Sequence, residues 1–279
     1  MSALERIWLG WLVAMVVVAV STPGGGMAGH RPVAFLVVVV GLAGLQFVIA
    51  WAATRWSVAG VRVLRALVAC VGTPIAFCSL GWLLPAVHPE PYEYLWRSWD
   101  QALFGIDPTV AVQALLSPWL VEVLQWSYAA FYVVPVGAGL AVAKVSGGQA
   151  FDRAMTILVG CFLASYAGYL LFPTLAPIWI LDHGGPVRGV WLAEEVHAAI
   201  LTVEPNRHDG MPSGHTMLTV CSLILVWRWA RRWLVPWLAI VVPLLAATIC
   251  LRYHWTVDVL VGALVAWPAV RVCDLLYEP

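Results

Sequence analysis

Long apolar runs alternate with short polar interruptions along the chain, and the length of the runs sets the expected fold. A helix needs about 20 apolar residues to cross the hydrocarbon core of a bilayer. Runs of that kind predict membrane-crossing helices over residues 7–22, 33–53, 66–87, 119–143, 154–172, 215–229, 233–252 and 257–272. The first run is followed by "STPGGGMAGH", residues 21–30. A signal-peptide core has a similar length, but the flank here is Glu5 and Arg6 rather than a basic cluster, so the run is taken as a span. Between the third and fourth runs, "HPEPYEYLWRSWDQALFGIDPTVAVQALLS" (88–117) sets Trp96, Trp99, Leu103 and Phe104 at helical spacing and restarts at Pro108. One or two helices lying in the outer interface are expected, with tryptophans as anchors. They either cover the bundle or shape an entrance for lipid.

These elements predict an all-α, polytopic membrane helix bundle of about eight transmembrane helices, with the interface helices between spans three and four, as a single membrane domain over residues 1–279. Composition narrows this further: the chain is 62% hydrophobic and 11% charged and carries 17 Trp, far from soluble usage. The longest polar connections, 85–118 and 173–212, leave little room for an aqueous domain. The six cysteines sit within or at the ends of apolar runs, so no disulfide framework or zinc spacing follows. A net charge of zero without a basic run gives no reason to expect nucleic acid as a partner. Basic residues are retained on the cytoplasmic face. With the N-terminus inside, Arg6, Arg55, Arg62, Arg65, Lys144, Arg153, Arg228, Arg231, Arg232 and Arg271 are cytoplasmic, against Arg31, Arg97, Arg188, Arg207 and Arg252 outside. Both termini are therefore expected inside, and all seven histidines outside.

Against this apolar background, "CLRYHWTVDVLVG" (250–262) stands out because it holds Arg252, His254 and Asp258. Ionisable groups at membrane depth are expensive and point to function. Upstream lies "NRHDGMPSGHTML" (206–218), and His215 precedes His254 by 39 positions, the length of two spans. The chain goes in and comes back, so both histidines emerge on one face. Asp258, four residues after His254, is within reach of its ring and can fix its tautomer. Pro212, Ser213 and Gly214 read as a helix start whose free amides suit an anion. Arg207 and Arg252 flank the same region and suit phosphate oxygens. Each feature has a plain reading alone: a surface histidine, a helix cap, a snorkelling arginine. Together they point to phosphate chemistry.

Pro212-Ser213-Gly214-His215 and the later His254 to Asp258 resemble the paired motifs of the type-2 phosphatidic acid phosphatase superfamily, membrane lipid phosphatases and phosphotransferases. The resemblance is strong over about 173–262 and looser at "DQALFGIDPT", 100–109. The family's Lys-x6-Arg-Pro motif is absent, since the only lysine, Lys144, lies on the expected cytoplasmic side. Thr248 occupies the place of the arginine six before the second histidine, which leaves Arg252 as the nearest substitute. The Pro-rich "LLFPTLAPIW" (170–179) stands where a first motif is needed and brings no cation. "HDGMPSGHT" and "HWTVDV" are also similar to sphingolipid synthase motifs, in which an aspartate, here Asp209, stands four before the serine.

The resemblance implies a metal-independent phosphoric ester hydrolase or phosphotransferase, with no cofactor. His254 would attack phosphorus, Asp258 would orient it, and His215 would protonate the leaving oxygen. Arg252, Arg207, Ser213 and Gly214 would bind phosphate, with Asp209 accessory, in a catalytic core of about 119–272. The leading expectation is a lipid phosphate phosphatase working at the outer leaflet of a bacterial plasma membrane, with its active site on the extracytoplasmic side. Its expected partners are a lipid phosphate substrate and membrane lipids. One alternative is a lipid headgroup phosphotransferase, similar to sphingolipid or inositol-phospholipid synthases. A minor one is a non-catalytic lipid transporter or binding protein.

Overall fold

A computed structural model describes residues 2–22, 30–55, 59–90 and 92–277. Among them the regular structure is helical, without a β-strand. The Gly-rich linker 23–29 that follows the first run lies outside the described residues. Helix α1 (Ala3–Ser21) starts on a capping box, in which the Ser2 hydroxyl accepts from the Glu5 amide and the Glu5 carboxylate accepts from the Ser2 amide. It packs against α2 (His30–Arg55) and α3 (Ala59–Val87), burying Trp8 and Leu12 completely. After α3 come α4 (Glu93–Phe104) and the short α5 (Pro108–Ala111). Then follow α6 (Pro118–Ala129), the long α7 (Val134–Leu171), and the loop helices α8 (Pro177–Ile180) and α9 (Ala193–Val203). The chain closes with α10 (Gly214–Trp229), α11 (Leu234–Cys250) and α12 (Thr256–Tyr277).

Among the described residues, six helices are long and apolar enough to cross a membrane: α1, α2, α3, α7, α11 with its preceding turn, and α12. The chain is thus an integral membrane protein. The count differs from the expected eight for two reasons. The run at 119–143 is divided between α6 and the first part of α7, and α7 also holds the run at 154–172, continuing past a backbone break at Gly147 (φ 83°, ψ −177°). Helix α10, at 16 residues, is shorter than the other spans. The apolar surface continues outside the bundle, as lipid requires: Val37, Val235 and Leu264 are exposed while Leu80, Leu158 and Leu218 are buried.

The C-terminal half of α7 is the hub, packed on α10 and α12. Asp274 of α12 fastens the three at one end, accepting from Arg153 of α7 and, at 2.7 Å, from Arg228 of α10. The site lies at the other end. There α4 is an interface-type helix, ending where Gly105 turns left-handed (φ 73°). The expected anchors divide: Trp99, Leu103 and Phe104 are exposed, whereas Trp96 faces inward and donates to the Thr174 hydroxyl at 2.8 Å.

Candidate active site

Two chain segments build the site, and each is held by bonds that its sequence supplies. The first, 204–214, precedes α10. Asn206 Oδ1 accepts from the His208 amide at 3.1 Å, and Thr174 pairs with the segment through the bond from the Gly210 amide to its carbonyl, 3.1 Å. Ser213 caps α10, its hydroxyl accepting from the Thr216 amide at 3.2 Å. Glycine is needed at 214, because a Cβ there would lie 2.1 Å from the Tyr169 hydroxyl.

The second segment, 251–258, turns the chain from α11 into α12. The amides of Tyr253 and His254 both donate to the Thr248 carbonyl at 3.0 Å, and Arg252, just before them, takes the left-handed conformation (φ 71°). That conformation is costly for a residue with a Cβ. Arg252 is held there by its own side chain: Nε donates to Gln113 Oε1 at 2.9 Å and Nη1 to the Gly185 carbonyl at 2.7 Å. Its carbonyl accepts from the Ile178 amide at 3.0 Å. The first amides of α12 are capped by another helix: Asp100 of α4, fully buried, accepts from Thr256 at 2.9 Å and from Val257 at 2.8 Å. The two segments are joined where the Ser213 amide donates to the Asp258 carbonyl at 3.1 Å.

This scaffold lines up four ionisable side chains. Asp258 Oδ2 lies 3.7 Å from His254 Nδ1, His254 Nε2 lies 3.3 Å from His215 Nδ1, and His215 Nε2 lies 3.3 Å from Glu204 Oε1. Because α12 begins at Thr256, His254 meets Asp258 across the helix cap rather than along a helical face. Asp258 also accepts from the Trp255 amide at 3.1 Å, which fixes the carboxylate independently of the histidine. Tyr128 stacks on His215 with ring centres 4.5 Å apart and places its hydroxyl 3.3 Å from Nδ1. His215 and His254 are buried, with exposures of 5% and 3%.

Glu204 lies at the end of α9. Burial raises its pKa, but the facing His215, with the Tyr132 hydroxyl, brings it below the ordinary carboxylate value. Asp209 behaves oppositely: burial, reinforced by the charge of Glu204, pushes it up to about 7.

Of the residues singled out in the sequence, His215, His254 and Asp258 converge. Asp209 and Arg207 line a small cavity with His254 and Glu204, about 30 Å³ in volume. Arg207 is exposed, its guanidinium 4.1 Å from the centre of the Trp179 ring. Arg252 is placed differently: its guanidinium is committed to Gln113 and Gly185, and it is not among the residues lining that cavity. At the start of α10 the Ser213 amide donates to the Asp258 carbonyl, Thr216 to the Ser213 hydroxyl and Met217 to the Ser213 carbonyl, and Gly214 packs against the Tyr169 hydroxyl. Sequence reasoning passed over Glu204, Tyr128 and Asp100. Glu204 carried a usable signal, as one of two acids, with Asp209, in the stretch 204–214 just before His215.

A family model of the PAP2 superfamily matches residues 95–272, more than half of the chain. No curated protein and no solved structure matches it.

Proposed function

Because the chain belongs to the PAP2 superfamily, for which phosphatase-type lipid chemistry is the general function, we propose that it is a lipid phosphate phosphatase with a histidine nucleophile. The observation that carries this reading is the row Asp258–His254–His215–Glu204, with each histidine backed by a carboxylate on one ring nitrogen and facing the other histidine with its second. Asp258 favours the tautomer with a proton on His254 Nδ1 and a lone pair on Nε2. Nε2 then attacks phosphorus, forming the P–N bond while the P–O bond to the lipid breaks. His215, facing Glu204, gives its proton to the departing alkoxide. Water then attacks the phosphohistidine, His215 takes the water's proton, and phosphate leaves as the electron pair returns to His254 Nε2. Dividing the displacement into two steps is the service of a covalent nucleophile.

The two rings contact each other directly, so phosphorus can reach Nε2 only if the 3.3 Å contact gives way. Arg207 is the cation available to the equatorial oxygens, since it lines the cavity with His254. The Lys and Arg distribution supports an extracytoplasmic site with both termini inside. A second reading replaces water by a lipid alcohol, so that the phosphoryl group passes to a new headgroup. The similarity of Asp209 and the "HWTVDV" stretch to sphingolipid synthases favours it.

The test is purified protein in mixed micelles with several lipid phosphates, following free phosphate with and without a lipid alcohol. Release of phosphate without acceptor, insensitive to chelators, is the expected result. Transfer only in the presence of acceptor would establish the second reading. Failure of every lipid phosphate, alone or with acceptor, would overturn both.

A further inference from the structure

Helix α6 carries Glu122, Gln125 and Tyr128 at spacings of three, so neighbours in this series lie one above the other on the helix surface. Each reaches a different part of the chain. Tyr128 stacks on His215, and Gln125 donates to the Tyr253 hydroxyl at 3.1 Å. Glu122 is buried and holds the loop that leads into α9. Its Oε2 accepts from the amides of Val190 at 3.2 Å, Trp191 at 3.0 Å and Ala193 at 3.2 Å. Its Oε1 accepts from the Leu192 amide at 3.1 Å and from Trp126 Nε1 at 2.9 Å. The loop passes so close that a Cβ at Gly189 would lie 2.4 Å from Oε2.

A buried carboxylate is tolerated only when its oxygens are well bonded, and here four of the five donors are consecutive backbone amides at the start of α9. The carboxylate therefore fastens the first turn of α9 to α6. Helix α9 carries that constraint to the site. Ile200 is buried in one cluster with Val121, Leu124 and Tyr253. His197 Nδ1 lies 2.5 Å from the Tyr253 hydroxyl, and the Glu204 amide donates to the Ile200 carbonyl at 2.9 Å. Glu204 thus keeps the register of the helix, about 16 Å along it from Ala193.

We propose that Glu122 is a positioning residue for the site: it fixes the start of α9 on α6 and so sets how Glu204 meets His215. The two helices approach opposite nitrogens of that ring, Glu204 at Nε2 and the Tyr128 hydroxyl at Nδ1. A slip of α9 along α6 moves the carboxylate relative to the ring. His254 and Asp258 are spared, because Asp100 and the Ser213 amide hold their turn. The inference rests on the proposed role of His215 as the acid, and it makes the loss selective for leaving groups that need a proton.

The experiment compares folded Glu122→Gln, Gly189→Ala and wild-type protein on a long-chain lipid phosphate and an aryl phosphate. Glu122→Gln keeps the size of the side chain and turns an N–H₂ group toward amides, whereas Gly189→Ala presses on the same contact from the loop. In both variants kcat on the lipid phosphate should fall by about 10–100-fold, the scale of a small misplacement, with a much smaller loss on the aryl phosphate and little change in KM. Glu122→Gln should add little in a Glu204→Gln background. Equal losses on both substrates, wild-type kcat in folded Glu122→Gln, or full additivity with Glu204→Gln would overturn the assignment. Hydrogen exchange gives a readout without turnover: amides 190–193 and the peptides of α9 should exchange faster in Glu122→Gln, and unchanged exchange would refute the clamp. If wild-type protein hydrolyses neither substrate, the proposed function falls and exchange alone decides whether Glu122 holds α9.

Discussion

Replacing Asp100 with asparagine changes one atom type at a position far in sequence from both histidines, and its effect can be worked from the structure. Asp100 accepts the first two amides of α12, at 2.9 and 2.8 Å, and these belong to Thr256 and Val257, just after His254 and just before Asp258. Hydrogen bonds to a charged group contribute about 1.5–3 kcal/mol each, and an orphaned buried donor costs about 1–3 kcal/mol. Asparagine keeps one acceptor and turns an N–H₂ group toward the other amide, so the local loss is about 2–4 kcal/mol. Burial raises the pKa of Asp100 in spite of the two amides, so its charge contributes less to global stability than the two bonds suggest. The loss is concentrated in the cap that fixes His254 and Asp258. If the whole loss falls on the cap, kcat is expected to fall by about 30–700-fold, following the conversion of 1.4 kcal/mol per factor of ten. KM should change little, and Asp100→Glu should recover part of the loss. The assay is steady-state hydrolysis of an aryl phosphate by purified Asp100→Asn, Asp100→Glu and wild-type protein with matched thermal stability. A folded Asp100→Asn protein with wild-type kcat would refute the idea that this cap positions the site.

The remaining predictions concern the row of ionisable groups, the reassigned arginine and the orientation in the membrane. His254→Ala should lose turnover on every phosphate ester, while His215→Ala should be slowed severely on a lipid phosphate and much less on an aryl phosphate, whose phenolate leaves without a proton; equal losses of His215→Ala on both would remove it as the acid. Glu204 has a depressed pKa, so its contribution to stability is present above the ordinary carboxylate value and is lost as pH falls through the folded value. Melting temperature followed on acidification should therefore drop less in Glu204→Gln than in wild type, and parallel curves would contradict the pairing with His215. Arg252→Ala and Gln113→Ala break the same contact, so the double variant should be no worse than the more damaged single one to within about 0.5 kcal/mol, and full additivity would count against Arg252 as an anchor of the turn. Single cysteines at 188 and 230 in a background without native thiols should differ toward an impermeant reagent on intact cells, with labelling at 188 only; the opposite pattern would place the site on the other face.

The helical class was legible because run length and composition constrain a membrane protein strongly. Each of the eight apolar runs coincides with helix; α10 and α11 have bounds within about two residues of the predicted ones, while α1, α2, α3 and α12 run beyond theirs by up to about seven. The number of separate crossing helices was less legible, for a local reason. The polar stretch 144–153 separates two runs in the sequence and the backbone does break within it, at Gly147, but the helix resumes at once so that both sides belong to α7, while the apolar run at 119–143 contains the turn at Ala130–Tyr132 that separates α6 from α7. Hydropathy reports where lipid is tolerated and is nearly blind to such turns. Trp96 illustrates the same limit, because spacing placed it on a helix but did not say that the helix would turn this tryptophan toward Thr174.

Within the site, the histidines and Asp258 were legible because the distance between them in sequence matches a helical hairpin, a constraint that geometry must obey. The phosphate ligands were harder to read for a physical reason. An arginine is a strong donor for any acceptor, and sequence proximity to His254 does not say which acceptor it finds. Once Arg252 adopts a positive φ, its side chain leaves the turn toward Gln113 and the 183–185 loop, both remote in sequence. The same reasoning explains the start of α10. Its amides are donors in a buried setting: Ser213 finds the Asp258 carbonyl, Thr216 and Met217 find the Ser213 hydroxyl and carbonyl, and α7 approaches closely enough to set the Tyr169 hydroxyl against Gly214. Gly262, where a Cβ would sit 2.7 Å from the Ser213 carbonyl, shows how little space separates α10 from α12. A helix start packed this tightly rigidifies the position of His215 and contributes less as an anion cradle. In the proposed mechanism, charge stabilisation in the transition state would then fall to Arg207, which lines the cavity with His254, and its loss should be felt in kcat more than in the fold.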